Sequence, residues 1–299
     1  MPFVFSLIGG YPLGAKTVSN LYRDKKLTAQ DANSLLLFCN NTGPAFFLGV
    51  AGGKILGSTM AGLLLYFIHV ASAVFCGLLF RKETYLRYSV TRENAEAFSF
   101  SESFPRSVLR ASTSMLNICA FVILFSGLQS AVSSLPMLKQ VEVFLAKKLK
   151  VSVSVLRAVL SGTMEMTSGI VRLQEVKNQV IVFSHLSCLI SWGGICVHFQ
   201  TLSQLDAGIN TKGYYFSKLI QALFSLFTAF PVAEAFYCET FRMVSLLPVS
   251  FFLSFAVLIR LCAQNSAQKF PFARKGTPTD KIKPKITRKR GSNSERNLV

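Results

Sequence analysis

Two short polar stretches interrupt segments that are otherwise apolar enough to lie in a lipid bilayer. They hold the residues best equipped for chemistry. The first is Phe38-Cys39-Asn40-Asn41-Thr42-Gly43-Pro44, between the apolar runs Ser34 to Leu37 and Ala45 to Val50. The second is Ser191-Trp192-Gly193-Gly194-Ile195-Cys196-Val197-His198-Phe199-Gln200, inside Val180 to Leu205. Lipid offers a backbone no hydrogen bonds, so a broken helix survives there only beside protein or a water-lined cavity. Asn40, Asn41 and Thr42 supply amide and hydroxyl donors and acceptors, suited to a ribose, a nucleobase edge or a sodium ion. The plainer alternative is that they satisfy the freed backbone or join helices. Beyond the second break, His198 and Gln200 suit a ligand contact and a packing hydrogen bond equally well.

Glu165 is the sharpest single residue. It is the one acid in the middle of an intramembrane apolar stretch, Glu234 lying near a span's interfacial end, and it is flanked by Thr163, Thr167 and Ser168. A charge at that depth costs roughly 3 kcal/mol on insertion scales and by default marks a substrate, ion or proton site. The alternative is a buried pair with a base such as Lys16 or Arg157. Around these residues the glycines Gly10, Gly14, Gly162 and Gly169 permit tight turns and close backbone approach. Pro12 and Pro44 stop helices and free carbonyls. Lys16 lies just past the first glycine cluster and has the reach to snorkel.

The elements that must position these residues are membrane helices. About 20 residues cross a 30 Å hydrocarbon core. That requirement is met by 31–55 (broken at Asn40 to Pro44), 58–80, 112–135, 180–205 (broken at Gly193-Gly194), 214–237 (with Pro231 as a kink) and 243–262. Two further apolar stretches, 2–30 around Gly10 and 151–173 around Glu165, are too interrupted to cross. Each flank is about ten residues, or roughly 15 Å of helix, which predicts a re-entrant hairpin with its tip near the midplane.

Composition supports this reading. Hydrophobic residues make up 51% of the chain and charged ones 15%, against about a quarter charged in soluble proteins. The net charge of +18 gathers in loops and in the tail after Leu261, the pattern of the positive-inside rule and not of a nucleic-acid-binding stripe. It predicts a cytoplasmic, disordered basic tail over 263–299 and a cytoplasmic loop over 81–111. Lys139 to Lys150 then falls outside, against the rule, and reads as an amphipathic surface helix. The seven cysteines form no CxxC pair and the three histidines are scattered, so neither a disulfide framework nor a metal site is expected. No hydrolase, kinase or phosphate-loop signature occurs. The expectation is a membrane protein that is not an enzyme and has no cofactor; coupling to Na+ or H+ is left open.

The parts repeat. A hairpin, a broken span and an unbroken span make up 1–80, and 112–237 holds the same series after an additional span. Gly14 to Gly43 is 29 positions and Gly162 to Gly193 is 31. An odd number of crossings separates the hairpins, so one enters from each side and the repeats are inverted, as in several secondary transporters. The fold class expected is an all-α polytopic bundle with two re-entrant hairpins and two broken helices in inverted repeats. The first repeat lacks a helix matching 112–135, so upstream helices are expected to be missing.

Gly10-Tyr11-Pro12-Leu13-Gly14-Ala15-Lys16, Leu21-Tyr22, the Asn40-Asn41 break and Gly193 to Gln200 together resemble the sporulation integral membrane protein family of the YlbJ type, over Pro2 to about Leu261. Its relatives bear the nucleoside recognition or gate domain. The resemblance implies a bacterial spore-former, the cell membrane and a role in building the spore cortex. It also places Glu165 where the family carries an acid in its second hairpin. The function expected is a transporter-like gate for a small polar solute, nucleoside-like or cortex-related, or else a non-transporting scaffold. The site expected comprises Asn40, Asn41, Thr42, Gly43, Glu165, Thr167, Gly193, His198 and Gln200. Its hairpin tips hold Gly10, Pro12, Gly14, Lys16, Gly162, Ser168 and Gly169. Partners expected are the bilayer, the solute, and a second copy or other sporulation membrane proteins, with no nucleic acid.

Overall fold

Several helices begin where the sequence supplies a side-chain cap. Thr28 and Asp31 form a reciprocal capping box at the start of α3, Ala29–Leu36. Ser58 caps α4, Thr59–Leu79, and Ser152 caps α7, Val153–Met164. Asn178 accepts two backbone N–H groups at the start of α9, Gln179–Trp192. Such caps satisfy amide donors that have no partner inside the helix. The computed structural model describes residues 1–80 and 99–238. The loop over 81–98, the last expected span over 243–262 and the tail over 263–299 lie outside the described residues.

No strand occurs among the described residues. Among the described residues, four helices are long and apolar enough to cross a membrane: α4, α5 over Phe100–Ser133, the α9–α10 pair over Gln179–Leu202, and α11 over Lys212–Tyr237. α10 is Gly194–Leu202. Residues 100–111, expected as part of a loop, are helical, because α5 begins at Phe100 with Glu102 in its first turn, where an acid favours the positive helix end. Pro105 and Pro231 are both accommodated inside helices.

Each interrupted stretch is a pair of short helices. α1, Pro2–Gly9, and α2, Leu13–Arg23, flank Gly10-Tyr11-Pro12 and pack on each other. α7 and α8, Met166–Arg172, flank Glu165 alone. They come into backbone contact where Gly169 meets Gly162 and Ala158, the small-residue spacing that lets helices approach closely. The first broken span consists of α3, a non-helical stretch through Asn40 to Gly43, and a π-helix over Phe46–Leu56. π-Helices are rare and are usually single turns, so composition gives no warning of one here. The π-helix leans on α4 where Gly52 meets Gly62. α6, Pro136–Leu149, joins α5 to the second hairpin.

The main apolar core gathers Phe47, Leu65, Ile170, Phe183, Leu186 and Ile190 with neighbours from α11. A second cluster holds Ala15, Val18, Leu36, Cys39 and Tyr214. α9 and α11 pack most extensively, and between them and the two breaks lies a polar interior.

Candidate functional site

The two hairpin turns and the two breaks meet. Gly10 has φ 74°, and a Cβ there would lie 2.9 Å from the Gly43 amide nitrogen; only glycine allows that turn to rest on the first break. Gly194, with φ 79°, rests likewise on the second hairpin, where a Cβ would lie 3.0 Å from the Met166 nitrogen and 3.1 Å from the Gly162 oxygen. Tyr11 of the first turn reaches the second break, its hydroxyl 3.3 Å from the Cβ position of Gly193. Trp192 Nε1 donates to the Thr163 carbonyl at 3.3 Å, tying the second break to the second hairpin.

Three hydrogen-bonded sets fill the junction. In the first, Asn40 Nδ2 donates to Thr201 Oγ1 at 2.8 Å and to the Tyr214 hydroxyl at 3.0 Å. His198 Nδ1 lies 3.1 Å from that same hydroxyl. Asn40 Oδ1 and His198 Nε2 are buried and have no partner among the described residues.

In the second set, Asn41 Nδ2 donates to Ser6 Oγ at 2.9 Å and to the Phe38 carbonyl at 2.7 Å. Its oxygen accepts from Gln221 Nε2 at 3.2 Å. Gln221 Oε1 accepts from Lys218 Nζ at 2.8 Å, and Lys218 also donates to the Tyr11 hydroxyl at 3.3 Å. Lys218 and Gln221 are both 0% exposed. No carboxylate pairs with Lys218 among the described residues.

The third set hangs on His69 of α4. The Thr42 backbone N–H donates to His69 Nε2 at 3.2 Å, which leaves Nδ1 to donate to Ser191 Oγ at 2.9 Å. Ser191 continues to Ser225 of α11 at 2.9 Å. The Thr42 hydroxyl donates to the Ile190 carbonyl at 3.3 Å. One imidazole thus spans both breaks.

Glu165 is buried but stands apart from these sets. Oε1 accepts from the Thr167 N–H at 2.9 Å, and Oε2 accepts from the Ser168 N–H at 2.7 Å and the Thr167 hydroxyl at 2.6 Å. It caps α8. Neither base weighed as its partner reaches it: Arg157 pairs with Glu142 of α6 at 3.0 Å, and Lys16 donates to Ser114 of α5 at 2.9 Å. Gln200 turns to Cys196 Sγ at 3.3 Å. Gly14 and Pro12 lie buried in the first hairpin, where a Cβ on Gly14 would overlap the Cys39 carbonyl. The structure therefore brings Asn40, Asn41, Thr42, Gly43, Gly193 and His198 to one junction with Gly10. Glu165, Thr167, Ser168, Gly162 and Gly169 form the second hairpin beside it, and Lys16 faces away.

Sequence reasoning missed Lys218, Gln221, Tyr214 and His69. The available signal was Lys218 and Gln221 three residues apart, hence on one face of α11, inside an apolar span.

No protein-family model matches the chain, and no solved structure matches it. Among proteins of known description, it is similar to the sporulation integral membrane protein YlbJ of Bacillus subtilis (strain 168), at 22% identity over 244 residues. The match covers 73% of this chain and 60% of that protein's length, so the chain is a distant homologue of a sporulation integral membrane protein.

Proposed function

We propose that the chain is the gate-like core of a sporulation membrane transporter, with its solute site at the junction of the two hairpin turns and the two breaks. The two hairpins are re-entrant, the two halves are inverted repeats, and the basic tail faces the cytoplasm. The observation that carries this reading is Lys218, fully buried beside the first turn with no acid partner among the described residues. An unpaired buried charge carries a penalty of several kcal/mol. A solute bearing a negative group removes that penalty, which favours an anionic cortex-related solute over an uncharged nucleoside. Intramembrane ionisable residues mark substrate and ion paths by default.

The test is uptake by vesicles holding the purified protein. The panel includes nucleosides, nucleotides, small carboxylates and cell-wall precursors, each with and without a Na+ or H+ gradient. The expected result is saturable transport of an anionic member, lost in Lys218→Gln. Transport of uncharged nucleosides unaffected by that substitution would remove Lys218 from the site.

A second reading is a membrane scaffold for other sporulation proteins or for a second copy. The observation favouring it is that Asn41, Thr42 and Glu165 have their polar groups engaged within the protein. Spores formed normally by cells carrying Lys218→Gln and Asn40→Ala, where deletion blocks them, would favour the scaffold.

A further inference from the structure

Among the described residues, α6 is held from one side only. Ala146 is buried there, and Glu142 pairs with Arg157 of α7. The other side is open. Met137, Val141 and Phe144 recur at three- and four-residue intervals, so they form one stripe, and they are 74%, 39% and 66% exposed. Lys148 continues that stripe by one turn, with Lys147 beside it and Lys150 at the C-cap, all exposed. Glu142 is the one acid on the helix and is already paired, so the open face carries uncompensated positive charge.

We infer that this face of α6 docks on anionic phospholipid at the membrane–water boundary. α5 is long and apolar enough to cross the membrane and ends at Ser133, three residues before α6 begins. A spanning α5 therefore delivers α6 to the boundary. There, an apolar stripe enters the acyl region while lysine stems run along it and carry their ammonium groups to the headgroup phosphates. The charge decides the lipid: a zwitterionic surface attracts lysines weakly, whereas an anionic one favours each by roughly fivefold. The inference rests on α5 spanning the membrane, not on transport, so it stands or falls separately from the solute site.

The experiment uses the full chain in nanodiscs with Phe144→Trp, the Trp192 signal of the parent protein being subtracted. Brominated phosphatidylglycerol or brominated phosphatidylcholine is supplied at equal mole fraction. The expected result is quenching about twofold or more stronger by the anionic lipid. Combined Lys147→Gln, Lys148→Gln and Lys150→Gln should equalise the two lipids while both still quench. Met137→Trp gives the same readout from the other end of the stripe. Equal quenching by both lipids with the lysines intact overturns the specificity. Quenching by aqueous iodide and by neither lipid overturns the docking and makes the face a site for an acidic protein surface.

Discussion

Lys218 donates to Gln221 Oε1 at 2.8 Å, one turn along the same helix, and Gln221 Nε2 donates in turn to Asn41 Oδ1 at 3.2 Å. A cation in the interior of α11 is thereby bound into the backbone break of another segment 180 residues away in the sequence. Gln221 satisfies the Asn41 side-chain oxygen without neutralising the lysine.

The sign of a stability change at Lys218 follows from that. Removing a buried, unpaired cation relieves a burial penalty of several kcal/mol, against about 1–3 kcal/mol for leaving Gln221 Oε1 without its donor. Lys218→Met is expected to leave thermal unfolding in detergent unchanged or raised, while abolishing stabilisation by the anionic solute. A fall in unfolding temperature accompanied by intact solute stabilisation would mean that the lysine serves the fold alone.

Asn40 and Tyr214 should couple. Asn40→Ala removes two buried hydrogen bonds and is expected to cost about 1–3 kcal/mol. Tyr214→Phe removes the hydroxyl that Asn40 and His198 share. The double mutant should lose less than the sum, with a coupling energy of about 0.5–3 kcal/mol. Additive losses in chemical unfolding would show that the hydroxyl does not link the first break to α10 and α11.

Two glycines make a matched pair of opposite outcome. Gly10→Ala places a Cβ against backbone and forces a left-handed conformation, so a loss above about 1 kcal/mol is expected. Gly49→Ala, in the π-helix, meets open space and is expected to be within about 1 kcal/mol of neutral. Unfolding temperatures of the two variants measured side by side decide the matter; equal values would put the Gly10–Gly43 contact in doubt.

Glu165 now reads as a cap. Glu165→Gln keeps an acceptor but loses the charge-assisted bonds to Thr167 and Ser168, with an expected loss of about 1–2 kcal/mol. Uptake per folded molecule should persist. Abolished uptake with unchanged stability would return the carboxylate to the solute site.

The interruptions were legible because glycine, proline and adjacent amides inside apolar runs break helices for stated physical reasons. That is why Gly10, Asn40, Glu165 and Gly193 mark turns or breaks in the structure. Lys218 was not legible: a lone lysine six residues from a helix start reads as one that snorkels to the interface, and only packing shows its head buried. The π-helix was hidden because hydrogen-bond register leaves no trace in composition. The start of α5 was hidden because Glu102, Pro105, Arg106 and Arg110 resemble loop residues. Glu165 was found, but not the cap it forms on α8. The two N–H groups at the start of α8 are its partners, and a local bond of that kind looks the same in sequence as a free carboxylate.

The His69 set has a further property. Ser225 gives its proton to the Ser187 carbonyl at 2.9 Å, so its oxygen can only receive from Ser191 and from the Ser187 hydroxyl at 2.6 Å. Ser191 must then point toward Ser225, and the imidazole must point toward Ser191. Every hydrogen from the Thr42 amide to the Ser187 carbonyl is oriented the same way. A row of hydroxyls in a membrane interior invites comparison with a proton wire, but a wire must be able to turn all its links around. This one is pinned at both ends by backbone groups that cannot exchange roles, so it is a strut with a fixed polarity.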